Sequence, residues 1–414
     1  MTTVALRSLV FSLSLTCLAF TGPERTGPEL IAPELSGRSA RQAAANSALS
    51  VHEWGTFTSI ADRSGQAVEW LPLNGSTDLP SFVEHFRTAE FKVGLRGTIR
   101  METPVLYFYS PSETTVSVKV GFSSGVITEW YPSASHVEPN PKNVLDSSAL
   151  FQREGNGSIA WDSVTVSPGV SPNLPRGRND NGSHYYTARE TSAAPVVVRT
   201  RKGTQQEKFL FYRGVSVFSI PLAAQSMPDG KVLIKNLGQD EIPSIILFER
   251  RGDKVGYRLE GGLQSESMLE PPELNSTVDA LSHDLEGVLM EQGLYPDEAR
   301  AMVETWRLSW FEEGSRVLYI VPASFVNRVL PLRIDPAPSQ TVRAFVGRLE
   351  LITPATEQAI EDALAGHDQV TIQKYGRFLS PILEQVKAEN PGRAQELDKE
   401  WMELYTNPDA ATVK

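Results

Sequence analysis

The sequence predicts an α+β fold: a β-sandwich-like N-terminal body, then a helical hairpin, further strands and a C-terminal helical tail. Three observations carry this reading. From Leu49 to about Gly262, short apolar runs recur, several alternating with polar residues as half-buried strands require. After Pro271-Pro272 the apolar residues change to helical spacing. Strand patterning returns at Arg316, and Thr353-Pro354 opens a last helical stretch.

In chain order, the first segment has one early cation, Arg7, followed by an apolar run from Leu9 to Phe20. That run is too short to span a bilayer, so residues 1–21 read as a signal peptide and the protein as exported, periplasmic or extracellular. Cys17 raises lipid anchoring, but Ser14 and Thr16 depart from the small and branched residues a lipobox needs. Residues 22–48 repeat Gly-Pro-Glu at Gly22 and Gly27 and read as a Pro/Glu-rich flexible tether. Residues 49–270 read as a β-rich domain, and 271–414 as an α+β region whose strands either join the first sheet or form their own. No transmembrane helix is expected in the mature chain.

Within the β body, Val116, Val118, Val120 and Phe122 share one face of a strand. Ser123-Ser124-Gly125 is expected to turn it into Val126–Tyr131 as its hairpin partner. Val105–Ser110 is apolar on both faces, as in a central strand. Val196–Thr200 and Lys208–Ile220 read as a hairpin around Arg201-Lys202-Gly203-Thr204. Asn74-Gly75, Asn156-Gly157 and Asn181-Gly182 suit tight turns, because Asn-Gly accepts positive φ. Leu281, Leu285, Val288 and Leu289 then mark one helix, and Ala299, Met302, Val303, Trp306 and Trp310 a second, begun by Pro296 and ended by Gly314. Strands are expected at 316–321, 329–334 and 342–352, and Ala394, Leu397, Trp401 and Leu404 form a stripe on the tail.

Composition excludes several functions. Net charge is −11 with no Lys/Arg-rich run, so nucleic acid is not an expected partner. Cys17 is the only cysteine, which excludes internal disulfides and thiolate metal sites in the body. The histidines His52, His85, His136, His184, His283 and His367 form neither His-x-His nor His-Glu-x-x-His. Only a set drawn from distant His52, His136 and His184 stays open, and no metal or cofactor is predicted. The Gly121-Phe122-Ser123-Ser124-Gly125 match to a nucleophile elbow lies between two strands instead of strand and helix, so it reads as a turn.

Candidate site residues fall in three places. On a strand, His52, Trp54 and Thr56 share one face, where an imidazole beside an indole would line a ligand cleft. The plainer alternative is an N-terminal edge strand whose tryptophan covers the core. Arg213 sits among Phe209, Phe211, Val215 and Val217, and a buried arginine needs a carboxylate: Glu53, Glu102 or Glu190. Arg100 and Glu102 point to one side of their strand. The same carboxylates are candidates for acid–base chemistry, although a buried ionic cluster is the preferred reading. Finally, the loop carrying His184, Tyr185, Tyr186, Arg189 and Glu190 joins aromatics, an arginine and a carboxylate, a combination suited to sugar binding and also to a well-packed loop anchor.

The phrase His52-Glu53-Trp54-Gly55-Thr56-Phe57-Thr58 resembles the opening of a set of uncharacterised secreted bacterial proteins. Met101-Glu102-Thr103-Pro104-Val105, Glu129-Trp130-Tyr131-Pro132 and Lys208-Phe209-Leu210-Phe211-Tyr212-Arg213-Gly214 are similar to that set as well. The resemblance spans most of the chain after the tether and implies a bacterial envelope setting; it brings no activity. Two function classes follow from the residues. One is an exported envelope protein binding a glycan or other envelope ligand on its β body. The other is a metal-independent, glycosidase-like hydrolase using paired carboxylates.

Overall fold

The computed structural model describes residues 48–73, 79–85, 95–139, 156–178, 183–201 and 203–406. The chain divides into two units, Met1–Arg41 and Gln42–Lys414, and every described residue belongs to the second. The signal peptide with Cys17, the tether as far as residue 47, and the Asn74-Gly75 and Asn181-Gly182 turns lie outside the described residues.

The first strands are β1 (Ser50–Ala61), β2 (Glu84–His85), β3 (Ile99–Tyr109), β4 (Thr114–Phe122), β5 (Gly125–Tyr131), β6 (His136–Glu138) and β7 (Gly157–Val166). After a 3₁₀ turn at His184–Arg189 come β8 (Val196–Thr200), β9 (Gly203–Glu207), β10 (Leu210–Ser216), β11 (Leu222–Ser226) and β12 (Val232–Asn236). Next are β13 (Ile242–Arg251), β14 (Lys254–Leu263), β15 (Glu266–Leu269) and the helices α1 (Val278–Glu291) and α2 (Pro296–Trp310). The chain continues through β16 (Gly314–Ile320), α3 (Ala323–Val329), β17 (Leu332–Asp335) and β18 (Gln340–Leu351). It ends in α4 (Pro354–Ala365), α5 (Gln369–Lys374), α6 (Leu379–Glu389) and α7 (Ala394–Thr406). The fold is α+β, a β-rich body with helices towards the C-terminus.

A nine-stranded sheet, ordered β14-β13-β16-β18-β1-β3-β10-β5-β2, organises the body. Only β1 and β18 pair in parallel; the other neighbours are antiparallel. The late strands β16 and β18 stand in this sheet beside β1, so residues from both sides of Pro271 build one surface. A second sheet runs β17-β4-β7-β8-β9, with β6 also on β7, and β11-β12-β15 forms a third.

Alternation along the central strands explains why this sheet is buried on both faces. Val51 and Phe57 of β1, Leu106 and Phe108 of β3 and Phe345 and Leu349 of β18 face one core, shared with Val116, Val118, Val120 and Trp161 of the second sheet. Trp54, Val105, Tyr107, Ala344 and Val346 face the other, which α1 and α2 cover with Leu281, Leu285, Trp306 and Trp310. The helical stripes read from the sequence are the buried faces of these two helices. Each such leucine or tryptophan, fully buried, contributes about 1.5–3 kcal/mol. The N-terminus of α1 is closed by Thr277, whose Oγ1 accepts from the Ala280 N–H at 3.1 Å. A third core gathers Ile60 and Trp70 with Ile360, Leu364, Ile382, Val386 and Leu397 of the helical tail. Thr353 caps α4 in the same way, its Oγ1 accepting from the Thr356 N–H at 3.1 Å.

Several local expectations change. β4 and β5 are not a hairpin: β4 pairs with β7 and β17, whereas β5 pairs with β10 and β2. Ser124, at φ +46°, turns the chain from one sheet into the other. Alternation tells which face a strand buries, not which strand lies beside it. The partner of β8 is β9, residues 203–207; the chain then crosses to the central sheet as β10. Val329 ends a helix, and the strand expected from that point begins at Leu332. β1 is no edge strand but the fifth of nine. Gly55 suits that central place, since a Cβ there would stand 2.7 Å from the Phe345 ring. Finally, Val215 does not share a face with Arg213, because the register shifts between Arg213 and Gly214.

Candidate ligand cleft and sealed ion pairs

The carboxylates singled out in the sequence reach very different surroundings. Glu53 is fully buried on β1 and pairs with its register neighbour on β18, Arg343, whose Nε lies 2.5 Å from Glu53 Oε2. The Tyr212 hydroxyl donates to the same carboxylate. Glu102, 1% exposed, accepts from Thr58 Oγ1 at 2.6 Å and is paired with Arg377 of the helical tail and with Arg100 Nε at 3.2 Å. Burial would raise this carboxyl, but Arg377 and Arg100 outweigh it and hold the group down at about 2. Glu190 is exposed, and its backbone N–H closes the 3₁₀ turn on Thr187 O.

Arg213 is 1% exposed, and its Nη2 lies 3.3 Å from Thr103 Oγ1 and 3.2 Å from His184 Nε2. Its guanidinium stands over the Trp306 and Phe211 rings. Of the carboxylates expected to balance it, Glu53 and Glu102 are committed to Arg343 and to Arg377 with Arg100, and Glu190 is exposed. Directly opposite Arg213 in the β10–β5 register is Glu129, which the sequence reading did not single out.

The His184–Glu190 loop turns inward. Tyr185 is 1% exposed, and its hydroxyl donates to Glu207 Oε2 at 3.1 Å. Arg189 grips Glu207 with Nε at 2.9 Å and Nη2 at 2.6 Å while lying over the rings of Tyr186, Tyr185 and Phe82. Burial pushes the Glu207 carboxyl up, and the Arg189 contacts pull it back. With its charge and aromatic faces spent on each other, this loop is an anchor for β9 and not an open binding edge. Trp54 is likewise fully buried, its ring 6.1 Å from that of Tyr107, with no face free for a sugar.

His52 leads to the surface feature that remains. Its Nδ1 lies 2.8 Å from Glu298 Oε2, and its ring packs 4.5 Å from Tyr295 and 5.2 Å from Tyr109. Glu298 also accepts from the Tyr109 hydroxyl at 2.8 Å and from the Tyr295 N–H at 2.7 Å, at the start of α2. Burial and the Glu298 charge both push the Tyr109 hydroxyl pKa upward, so it stays a donor. His52 Nε2 is buried and has no hydrogen-bond partner among the described residues.

Tyr109 and Tyr295 form one wall of an open cleft of about 510 Å³, which Ser50, Ser110, Ser192 and Lys208 also line. Tyr295 is 39% exposed there, at 4.9 Å and edge-on to Tyr109. Lys208 is half-buried and donates from Nζ to Ala193 O at 2.5 Å; burial lowers its pKa, against the pull of Asp297 and Glu207. Asp297 holds Ser192 by accepting its N–H at 2.6 Å. Of the residues proposed from sequence, His52 alone contacts this wall, from behind. Tyr109, Lys208 and Tyr295 were not singled out, and the one available signal was their position at ends of elements.

His136 is exposed beside Asp162, at 3.2 Å, while His52 and His184 sit with Glu298 and Arg213. Among the described residues, no group of three His, Cys, Asp or Glu side chains is placed to hold a metal ion. Among them, too, no helix is long and apolar enough to cross a membrane.

No family model matches the chain, and no curated protein matches it. Two solved structures are similar at a low level. One is the yeast delta-COP-I mu-homology domain complexed with Dsl1 WxWxV peptide, at 8% identity and TM-score 0.25, covering 73% of this chain and 96% of that one. The other is the yeast delta-COP-I mu-homology domain, at 8% identity and TM-score 0.21, covering 73% and 95%. Likeness this low assigns neither fold nor function.

Proposed function

We propose that this chain is an exported envelope protein that binds a glycan in the Tyr109–Tyr295 cleft and does no chemistry on it. The carrying observation is the contrast in access. Two tyrosines, serine hydroxyls and a lysine line an open cleft, whereas Glu53 and Glu102 are sealed under arginines. Aromatic faces beside hydroxyl and amine donors suit the apolar faces and hydroxyls of a sugar ring. Glycosidic cleavage needs two carboxyl groups about 5–10 Å apart across an open site, one of them kept protonated. Glu102, held at about 2, is ionised at any physiological pH and unsuited to the acid role. The export signal in the sequence and the envelope resemblance support the location.

Calorimetric titration of the mature chain with soluble N-acetylglucosamine oligomers and uronic-acid oligomers tests the reading. One series is expected to bind, and Tyr295→Ala is expected to weaken it at least tenfold. Binding unaffected by Tyr295→Ala, or sugar release from either series, would contradict it.

A further inference from the structure

We propose that Lys208 makes the Tyr109–Tyr295 cleft selective for a glycan whose sugars carry a carboxylate, an inference that rests on reading that cleft as a glycan site. Among the described residues lining it, Lys208 is the one with a charged side chain; the other polar side chains are serines and the two tyrosines. One sign of charge among neutral groups favours a ligand of the opposite sign.

The amine is held in place and keeps donors to spare. Lys208 sits between β9 and β10, where its backbone N–H donates to Glu207 Oε1 at 2.8 Å. Its side chain crosses to residues 192–195 and gives one Nζ hydrogen to Ala193 O at 2.5 Å. That segment is fixed in turn: the Ala194 N–H donates to Phe108 O at 2.9 Å, and Asp297 accepts the Ser192 N–H. An ammonium has three donors, so two remain beyond the Ala193 bond. Among the described residues no ion pair takes them.

The carboxylates near Lys208 are engaged elsewhere, and none of them lines the cleft. Glu207 is gripped by Arg189 and accepts from the Tyr185 hydroxyl. Asp297 accepts the Ser192 and Glu298 N–H groups at the start of α2. Glu298 is buried against His52 and the Tyr109 hydroxyl. Burial lowers the Lys208 pKa in spite of the pull of Asp297 and Glu207, and a ligand carboxylate at the amine would offset that burial. A carboxylate matches one ammonium charge for charge, whereas a phosphate monoester brings nearly two charges to a single cation. Ser50, Ser110 and Ser192 leave hydroxyls for those of the sugar.

The test is calorimetric titration of the protein with three ligands: oligogalacturonate, the same oligomer with its carboxyl groups reduced to alcohols, and the reduced oligomer carrying phosphates on those alcohols. Oligogalacturonate is expected to bind about tenfold tighter than the reduced oligomer, the size of one charge-assisted contact, and no weaker than the phosphorylated one. Lys208→Met is expected to shrink the preference over the reduced oligomer below about threefold and Lys208→Arg to keep it, with melting curves showing both folded. Salt added to the wild type is expected to shrink the same preference, a reading that needs no variant. Tyr295→Ala is expected to weaken acidic and reduced oligomers alike, because it tests the cleft and not its charge. Equal binding of those two oligomers, tighter binding of the phosphorylated one, or an unchanged preference in folded Lys208→Met would overturn the selectivity and leave the glycan reading standing. Binding of N-acetylglucosamine oligomers alone would do the same, and binding of no oligomer would overturn both.

Discussion

The surroundings of Glu102 and of Tyr295 show two uses of polarity in one molecule. Around Glu102 every charge is spent: Arg100, Arg377 and Thr58 all engage one buried carboxylate. Glu350 repeats the pattern nearby, gripped by Arg316 at 2.8 Å and Arg348 at 3.0 Å. Around Tyr295 the ring stands 39% exposed at a cleft, backed by His52 and Glu298. Charge clusters in the chain therefore mark architecture, because desolvated ions survive only when paired. The open polar edge comes from uncharged aromatics at the ends of β3 and the start of α2.

Breaking the sealed side has the largest expected effects. Arg213→Met, in the core under Trp306, and Arg377→Met, which strips Glu102 of its tail partner, are each expected to destabilise the fold by about 3–5 kcal/mol. Urea unfolding measures this, and an unchanged melting temperature for Arg213→Met would show that its buried charge fixes nothing.

Acid probes the same pair without mutation. A carboxyl held near 2 when folded against an ordinary value of 4.5 stabilises the fold above that ordinary value. Its contribution, on the order of 3 kcal/mol, is lost as pH falls from about 5 towards 2. Glu102→Gln removes this slope, so a variant with the wild-type acid profile would locate the titration elsewhere. A smaller effect is expected of Thr277→Ala, which loses the α1 cap and about 1 kcal/mol. Smallest in stability is Tyr295→Ala, expected within about 1 kcal/mol of wild type because the ring is partly solvated. Its consequence belongs to binding, which makes the contrast between the two regions measurable.

The fold was legible wherever period alone decides. β3 read as a central strand, and the stripes of α1 and α2 gave the helical hairpin with its buried tryptophans. Neighbours were not legible, as the β4–β5 turn shows: both strands alternate correctly yet belong to different sheets. Partners were hidden by distance along the chain. Glu53 and Arg343 are 290 residues apart, Glu102 and Arg377 are 275, and His52 and Glu298 are 246. No spacing rule reaches that far, so two of the carboxylates assigned to Arg213, Glu53 and Glu102, belong to other arginines. The 184–190 loop had the composition of a site, but composition does not tell whether Arg189 and its aromatics face a ligand or each other. Lys208 was passed over as the flank of a strand.

Chemical-shift mapping on the protein, titrated with the N-acetylglucosamine and uronic-acid oligomers, tests the central claim most directly. The expected result is a cluster of perturbed amides at Ser50, Ser110, Ser192, Lys208 and Tyr295, with Glu53 and Glu102 unmoved and the oligomers intact. Perturbation centred on Glu53, Glu102 or Glu190, with shortened oligomers in the same tube, would contradict it.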